Sequence, residues 1–237
     1  MAYCYEKKTD RKGNIYIEIT GYEGSIRHLV IPAMMENIPV RSIGKYAFSG
    51  REDLCSLTLP ETIDTLGRQA FYNCKNLTTL SLFDSVEDYY DGVIKQCGNL
   101  HAITLHQKRN SFSVMKELLA DNDRMLRFCV EPIGLHLTFP AYVYDFVEDV
   151  EARVLHHKIE GSGYPYRECV TRKGVDLLAY DRLFFHAADD DYRAAIDIAL
   201  DRLMYPLELE TQAREVYEQY LDCLLYTSPS PRDYAAS

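Results

Sequence analysis

A chain of 237 residues, 47% hydrophobic and 26% charged, has an ordinary soluble composition, and its length suits one large domain or two small ones. No apolar run approaches the ~18 residues that a membrane-spanning helix needs. The net charge of −10 falls entirely in residues 112–237, with 23 acidic against 13 basic groups, while residues 1–111 balance 13 against 13; without a basic stripe, this argues against nucleic acid as a partner.

The N-terminus reads as a hairpin. Tyr3-Cys4-Tyr5 and Ile15-Tyr16-Ile17 favour strands, and Asp10-Arg11-Lys12-Gly13-Asn14 between them is turn chemistry. Four segments after it fit one template, L-x-x-L-x-L: Ile26/Leu29/Ile31, Leu54/Leu57/Leu59, Leu77/Leu80/Leu82 and Leu100/Ile103/Leu105. Their first residues lie 28, 23 and 23 apart, a leucine-rich-repeat period. Other positions repeat with them: Ile43-Gly44 with Leu66-Gly67, Ala47-Phe48 with Ala70-Phe71 and more loosely Val93-Ile94, and Cys74 with Cys97. In L-x-L, alternate residues face opposite sides of a strand. The template residues face the core, and one coil cannot bury its own apolar edge without neighbours. The hairpin of residues 1–20 is therefore expected as a β cap over the open end of the array.

IGKYAFSG and LGRQAFYNC resemble the unit of the BspA-like leucine-rich repeat family, roughly IG-x-x-AF-x-x-C-x-x-L-x-x-L-x-LP, over residues 14–106. The resemblance implies a leucine-rich-repeat β-solenoid of about four coils with a parallel sheet over residues 21–110; the apolar spacing beyond it reads as a mainly α-helical domain over residues 111–222, so the chain is expected to be α+β. The resemblance also implies a non-catalytic protein-interaction module. Many relatives are exported, but MAYCYEKKTDRKGN lacks the apolar core of a signal peptide, so a cytoplasmic location is expected. Cys74 and Cys97 share a register about 5 Å apart; a disulfide would fit that spacing, but two buried thiols packing as small hydrophobes are the better reading in a cytoplasmic chain. None of the seven cysteines forms a C-x-x-C pair, and no metal or cofactor is expected.

Beyond Leu105 the template stops. Ser113 suits the cap of a short helix, Val114–Ala120. Met125–Val130 and Leu135–Phe139 read as strands around Glu131-Pro132-Ile133-Gly134. Pro140 suits the start of a helix carrying Val143, Phe146/Val147, Val150 and Val154. Val154–Ile159 is open between helix and strand, and GSGYPYR (161–167) reads as a loop. Asp176 caps a helix to about Ala188, Tyr192–Leu203 is a further amphipathic helix broken by Pro206, and Leu209–Leu221 begins the last. With its FP-x-Y, GSGYPYR and DRL-x-YP marks, the region resembles an uncharacterised segment found after such repeats in proteins of gut anaerobes. Residues 223–233, CLLYTSPSPRD, resemble a translated transposon-end sequencing adapter; the natural segment is expected to end near Asp222, with 223–237 disordered and outside the fold.

The outward positions of the template strands, His28, Val30, Ser56, Thr58, Thr79, Ser81, Ala102 and Thr104, make the first candidate surface, the concave face on which leucine-rich repeats commonly bind proteins. The face is hydroxyl-rich and lacks an aromatic or arginine anchor, so it also reads as plain solvated sheet. Tyr164, Tyr166 and Arg167 of GSGYPYR are the second candidate, a stacking or anion-binding spot beside the reading of a rigid turn. The motif completes neither phosphate fingerprint. His156 and His157 point apart and share no metal. Asp189-Asp190-Asp191, near His186, most simply leads into the next helix. An enzyme or small-ligand site in residues 121–222, with the repeats as targeting device, is the alternative function.

Overall fold

A computed structural model describes residues 2–149 and 154–227. In chain order, the repeat half contains β1 (Ala2–Thr9), β2 (Ile15–Glu23), β3 (His28–Val30), β4 (Met34–Met35), β5 (Ile38–Ile43), β6 (Ser56–Thr58), β7 (Thr65–Leu66), β8 (Thr79–Phe83), β9 (Asp88–Tyr89) and β10 (Ala102–His106). Then come α1 (Ser113–Asp121), β11 (Leu126–Glu131), β12 (Leu135–Phe139), β13 (Val143–Asp149), β14 (Val154–Glu160), α2 (Gly163–Glu168), α3 (Leu177–Arg182), α4 (Phe184–Asp190), α5 (Tyr192–Met204) and α6 (Thr211–Thr227).

Each coil contributes a strand to two sheets. One sheet runs β3-β6-β8-β10-β11, all parallel, and is closed by antiparallel β12. The other runs β2-β5-β7-β9, parallel, and is closed at the opposite end by antiparallel β1. A hairpin therefore blunts each array where the chain enters and leaves it, which removes an unpaired edge. The template predicts four coils, whereas the first sheet holds five parallel strands. The fifth coil uses α1 on its return leg and carries Leu126, Phe128 and Val130 inward, all fully buried.

Between the sheets every template residue from Leu29 to Leu105 is at most 3% exposed. The Ala-Phe pairs fill the coil from the far side, Phe48 stacking on Phe71 with centroids 5.3 Å apart. Two positions per coil take left-handed backbone: Tyr46, Gln69 and Gly92 at one, Gly50, Asn73 and Gln96 at the other, each set stepping by 23 residues. Gly67 is required for a different reason. A Cβ there would sit 2.7 Å from the backbone of the coil below. The two aligned thiols are free and buried, and each donates to a carbonyl one coil back: Cys74 Sγ to Phe48 at 3.2 Å, Cys97 Sγ to Phe71 at 3.1 Å.

The C-terminal half departs from its sequence reading in several places. The helix expected from Pro140 is the ribbon β13–β14, paired antiparallel from Val143↔Glu160 to Asp149↔Val154; Val150 lies outside the described residues. Valine, tyrosine and phenylalanine favour an extended backbone, and an available partner strand overrides the helical spacing of the valines. GSGYPYR is mostly helix α2 rather than loop. Gly163 has no room for a Cβ, which would lie 2.1 Å from the Pro140 carbonyl oxygen. Ser113 is the first residue of α1 and does not cap it; Phe112 holds the cap position.

Asp176 does cap α3, accepting from Ala179 N at 2.9 Å, but the expected helix breaks at Leu183 into α3 and α4. Asp191 caps α5 through Arg193 N and Ala194 N. The last helix continues to Thr227, so the first five residues of the adapter-like segment are helical here. The helices pack on β12 and α1, and one apolar cluster runs without a break from Ile17 to Tyr217.

Candidate interaction surface

All eight outward positions lie on one face of the parallel sheet, in adjacent rows. His28, Ser56, Thr79 and Ala102 align across β3, β6, β8 and β10, as do Val30, Thr58, Ser81 and Thr104. They alternate with buried Leu29, Leu57, Leu80 and Ile103, as the pleat requires. His28 Nδ1 lies 2.8 Å from Ser56 Oγ. Val30 is the most apolar point of the face, 60% exposed.

The face extends further than the template. The fifth strand adds Arg127 beside Ala102 and Cys129 beside Thr104. A third row, Phe83, His106 and Glu131, runs along the C-terminal rim. Alternation continued two residues past Ser81 and Thr104 reaches Phe83 and His106, so the signal for this row is present in the sequence.

Helix α5 closes the face at its far end. Residues paired across β11 and β12 share a side of the sheet, and α5 lies on that side. Asp201, fully buried, is bonded by Arg127 and accepts from Thr138 Oγ1 at 2.8 Å. His136 stacks on Tyr205, centroids 3.5 Å apart and planes within 10°. Burial lowers the His136 imidazole from its usual range and raises the Cys129 thiol beside it. Arg127, although it stands on the floor, is thus already held by α5, and its pKa is raised by that bond.

The second candidate surface is not assembled. Arg167 is 6% exposed and spends its guanidinium on carbonyls: Nε on Leu119, Nη1 on Pro140 and Gly163, Nη2 on Asn122 and Arg124. It ties the end of α1 to the end of β12. Burial without a carboxylate partner pulls its pKa down to about 10. Tyr166 is fully buried, and of the three only Tyr164 reaches the surface. The Asp189–Asp191 run is used structurally too, with Asp190 Oδ2 accepting from Ser162 N and Oγ at 2.8 and 3.0 Å. The side chains of His156 and His157 lie outside the described residues. Among the described residues no three His, Cys, Asp or Glu side chains converge as for a metal ion, and no helix is long and apolar enough to cross a membrane.

A groove of about 270 Å³ between α3, α4 and α6 is lined by Leu178, Phe185, Val216, Asp181 and Tyr217. Its polar floor is occupied. Asp181 is gripped by Arg202 at 2.8 and 3.0 Å and by Tyr217 Oη at 2.7 Å.

Two sheets joined by short return legs, two left-handed positions per turn and a leucine ladder between them define the repeat. Residues 22–116 match the BspA type leucine rich repeat region, in six copies. The match ends inside α1, before the fifth strand. Three solved structures are similar to part of the chain. A leucine-rich repeat protein from Bacteroides ovatus is 21% identical over 44% of this chain and 30% of that one, with a TM-score of 0.35. A leucine rich cell surface protein from Faecalibacterium prausnitzii is 19% identical over 45% of each chain, TM-score 0.30. A leucine-rich repeat protein of T. pallidum is 18% identical over 43% of this chain and 68% of that one, TM-score 0.26. The chain thus spans 30% and 45% of the first two. No curated protein matches it.

Proposed function

We propose that the chain is a protein-interaction module and that its partner docks on the outer face of the five parallel strands β3-β6-β8-β10-β11, against α5. The observation that carries this reading is the continuous floor, from His28 to Glu131, ending at a helix anchored through Asp201. Leucine-rich repeats are in general interaction modules, which supports it.

The floor alone is small. Five strands at ~4.8 Å spacing and five residues at ~3.3 Å rise give roughly 250 Å², against about 800 Å² per partner in a standard interface. A partner must therefore also touch α5, where Leu200 and Met204 are exposed. The floor's neutral hydroxyls contribute about 0.5–1.5 kcal/mol per hydrogen bond, so they supply specificity and α5 supplies apolar area. The rival, a small ligand in the groove over Asp181 and Tyr217, would have to compete with Arg202 for that carboxylate.

The test presents the folded chain and a Thr58→Lys/Ser81→Lys variant as baits to extract from the source cells. The variant is expected to lose the partner. Equal capture moves the interface off the sheet.

A further inference from the structure

Ser81, His106 and Glu131 stand on three successive parallel strands, 25 residues apart in sequence. Ser81 Oγ is 3.0 Å from His106 Nε2, and His106 Nδ1 is 3.1 Å from Glu131 Oε2. The two contacts use different ring nitrogens. One tautomer satisfies both: Nδ1–H donates to the carboxylate and Nε2 accepts from the serine hydroxyl. The imidazole is also held from the side by Phe83, with ring centroids 4.8 Å apart. This is the nucleophile–base–carboxylate order that activates a serine.

The surroundings suit the same chemistry. Thr58 and Thr104 flank Ser81 on the neighbouring strands in register. Their hydroxyls have no partner among the described residues, so they are the available donors for a developing oxyanion, since the sheet's backbone N–H groups are already paired. His106 and Glu131 side chains are 30% and 54% exposed, so a carbonyl can reach them from solvent. His106 and Glu131 stand on an open sheet face, which fits an ester presented on the surface of a larger molecule or a small activated ester.

We propose that Ser81 is an acyl-accepting nucleophile and that this rim of the sheet carries a slow carboxylic-ester hydrolase activity, with His106 as general base and Glu131 as positioning residue. Ser81 Oγ attacks the ester carbonyl while its proton passes to Nε2 of His106. The C–O bond to the alcohol breaks, and the alcohol leaves with that proton. Water then adds to the acyl carbon and gives a proton to His106. The bond to Ser81 breaks, Oγ recovers the proton, and the carboxylic acid departs. No sequence motif announces this relay because its members come from three different coils.

The fold supplies its own control. Ser56 bonds His28 Nδ1 at 2.8 Å, but no carboxylate holds that ring among the described residues. The full chain is treated with an alkyl fluorophosphonate and the adduct is located by mass spectrometry, alongside p-nitrophenyl acetate hydrolysis. The expected adduct is on Ser81 in preference to Ser56. His106→Ala slows labelling at least about 100-fold, and His106→Gln replaces it if the alanine variant melts early. Glu131→Gln lowers the maximal labelling rate and leaves the half-saturating probe concentration unchanged. No adduct on Ser81, equal labelling of Ser56, or undiminished labelling without His106 overturns the proposal. Because the readout is covalent, it is independent of whether a protein docks on the face.

Discussion

Tyr180 Oη donates to the carbonyl oxygen of Thr138 at 2.5 Å and accepts from the N–H of the same residue at 3.1 Å. Thr138 belongs to β12, the last strand of its sheet, and both groups point away from the sheet. One phenol thus serves the donor and acceptor that a further coil would have paired. The array stops here because the C-terminal helices bring a side chain to its open edge, and with it a lid that excludes water.

Removing that hydroxyl leaves two buried backbone groups unsatisfied. Tyr180→Phe is expected to lower unfolding free energy by about 2–5 kcal/mol, with little change in ring packing against Phe139 and Tyr166. Urea denaturation checks this. A loss below about 0.5 kcal/mol, the low end for a single hydrogen bond, would mean the edge is satisfied another way.

The register of the sheet is tested by two neighbours. Leu80 is 3% exposed between coils and Thr79 is exposed on the floor. Leu80→Asp buries an unpaired charge at a cost of several kcal/mol and should unfold the repeats. Thr79→Asp should melt within a few degrees of the parent. Equal melting temperatures would contradict the register.

Two glycines give a steric pair. Gly67→Ala drives a Cβ to 2.7 Å from the Gly44 carbon and the Ile43 oxygen, whereas Gly98 has nothing within 4 Å. The first change should cost about 1–3 kcal/mol, as overpacking does. The second should be neutral or stabilise by up to ~1 kcal/mol through the unfolded chain. Thermal unfolding of both variants decides.

His136 sets a pH dependence. Burial lowers its folded pKa below the unfolded ~6.5. The unfolded chain therefore takes up the proton first as pH falls, and the stability that neutral His136 contributes is present above ~6.5 and lost below it. The melting temperature should fall more steeply from pH 7 to 5 in the parent than in His136→Phe, which keeps the stack on Tyr205. Parallel slopes would remove His136 as the cause.

The repeat is legible in the sequence because period and alternation both report burial. Each residue from Leu29 to Leu105 that the template selects is in the core, and the cap hairpin falls where its turn chemistry puts it. The fifth coil is harder to see, since α1 replaces the Ile-Gly and Ala-Phe signals and leaves only Leu126, Phe128 and Val130. The ribbon β13–β14 passes for a helix because Val143 and Val147 satisfy helical and strand spacing alike, and only a partner strand separates the two. Arg167 is invisible as a structural residue: nothing in GSGYPYR says that four carbonyls from distant segments converge on it. The rim row escapes the template by one residue. The template ends at Leu82 and Leu105, while the strands continue to Phe83 and His106.

The interaction surface itself is tested by the affinity of the captured partner. Thr58→Lys with Ser81→Lys puts two uncompensated charges at the centre of the floor without touching the core. Tyr90→Lys with Gln96→Lys adds the same charge at exposed positions on the flank. The dissociation constant should rise about 100-fold or more for the floor pair, some 2.8 kcal/mol at ~1.4 kcal/mol per tenfold, and stay within about twofold for the flank pair. Equal affinity of the folded floor variant and the parent would contradict the account.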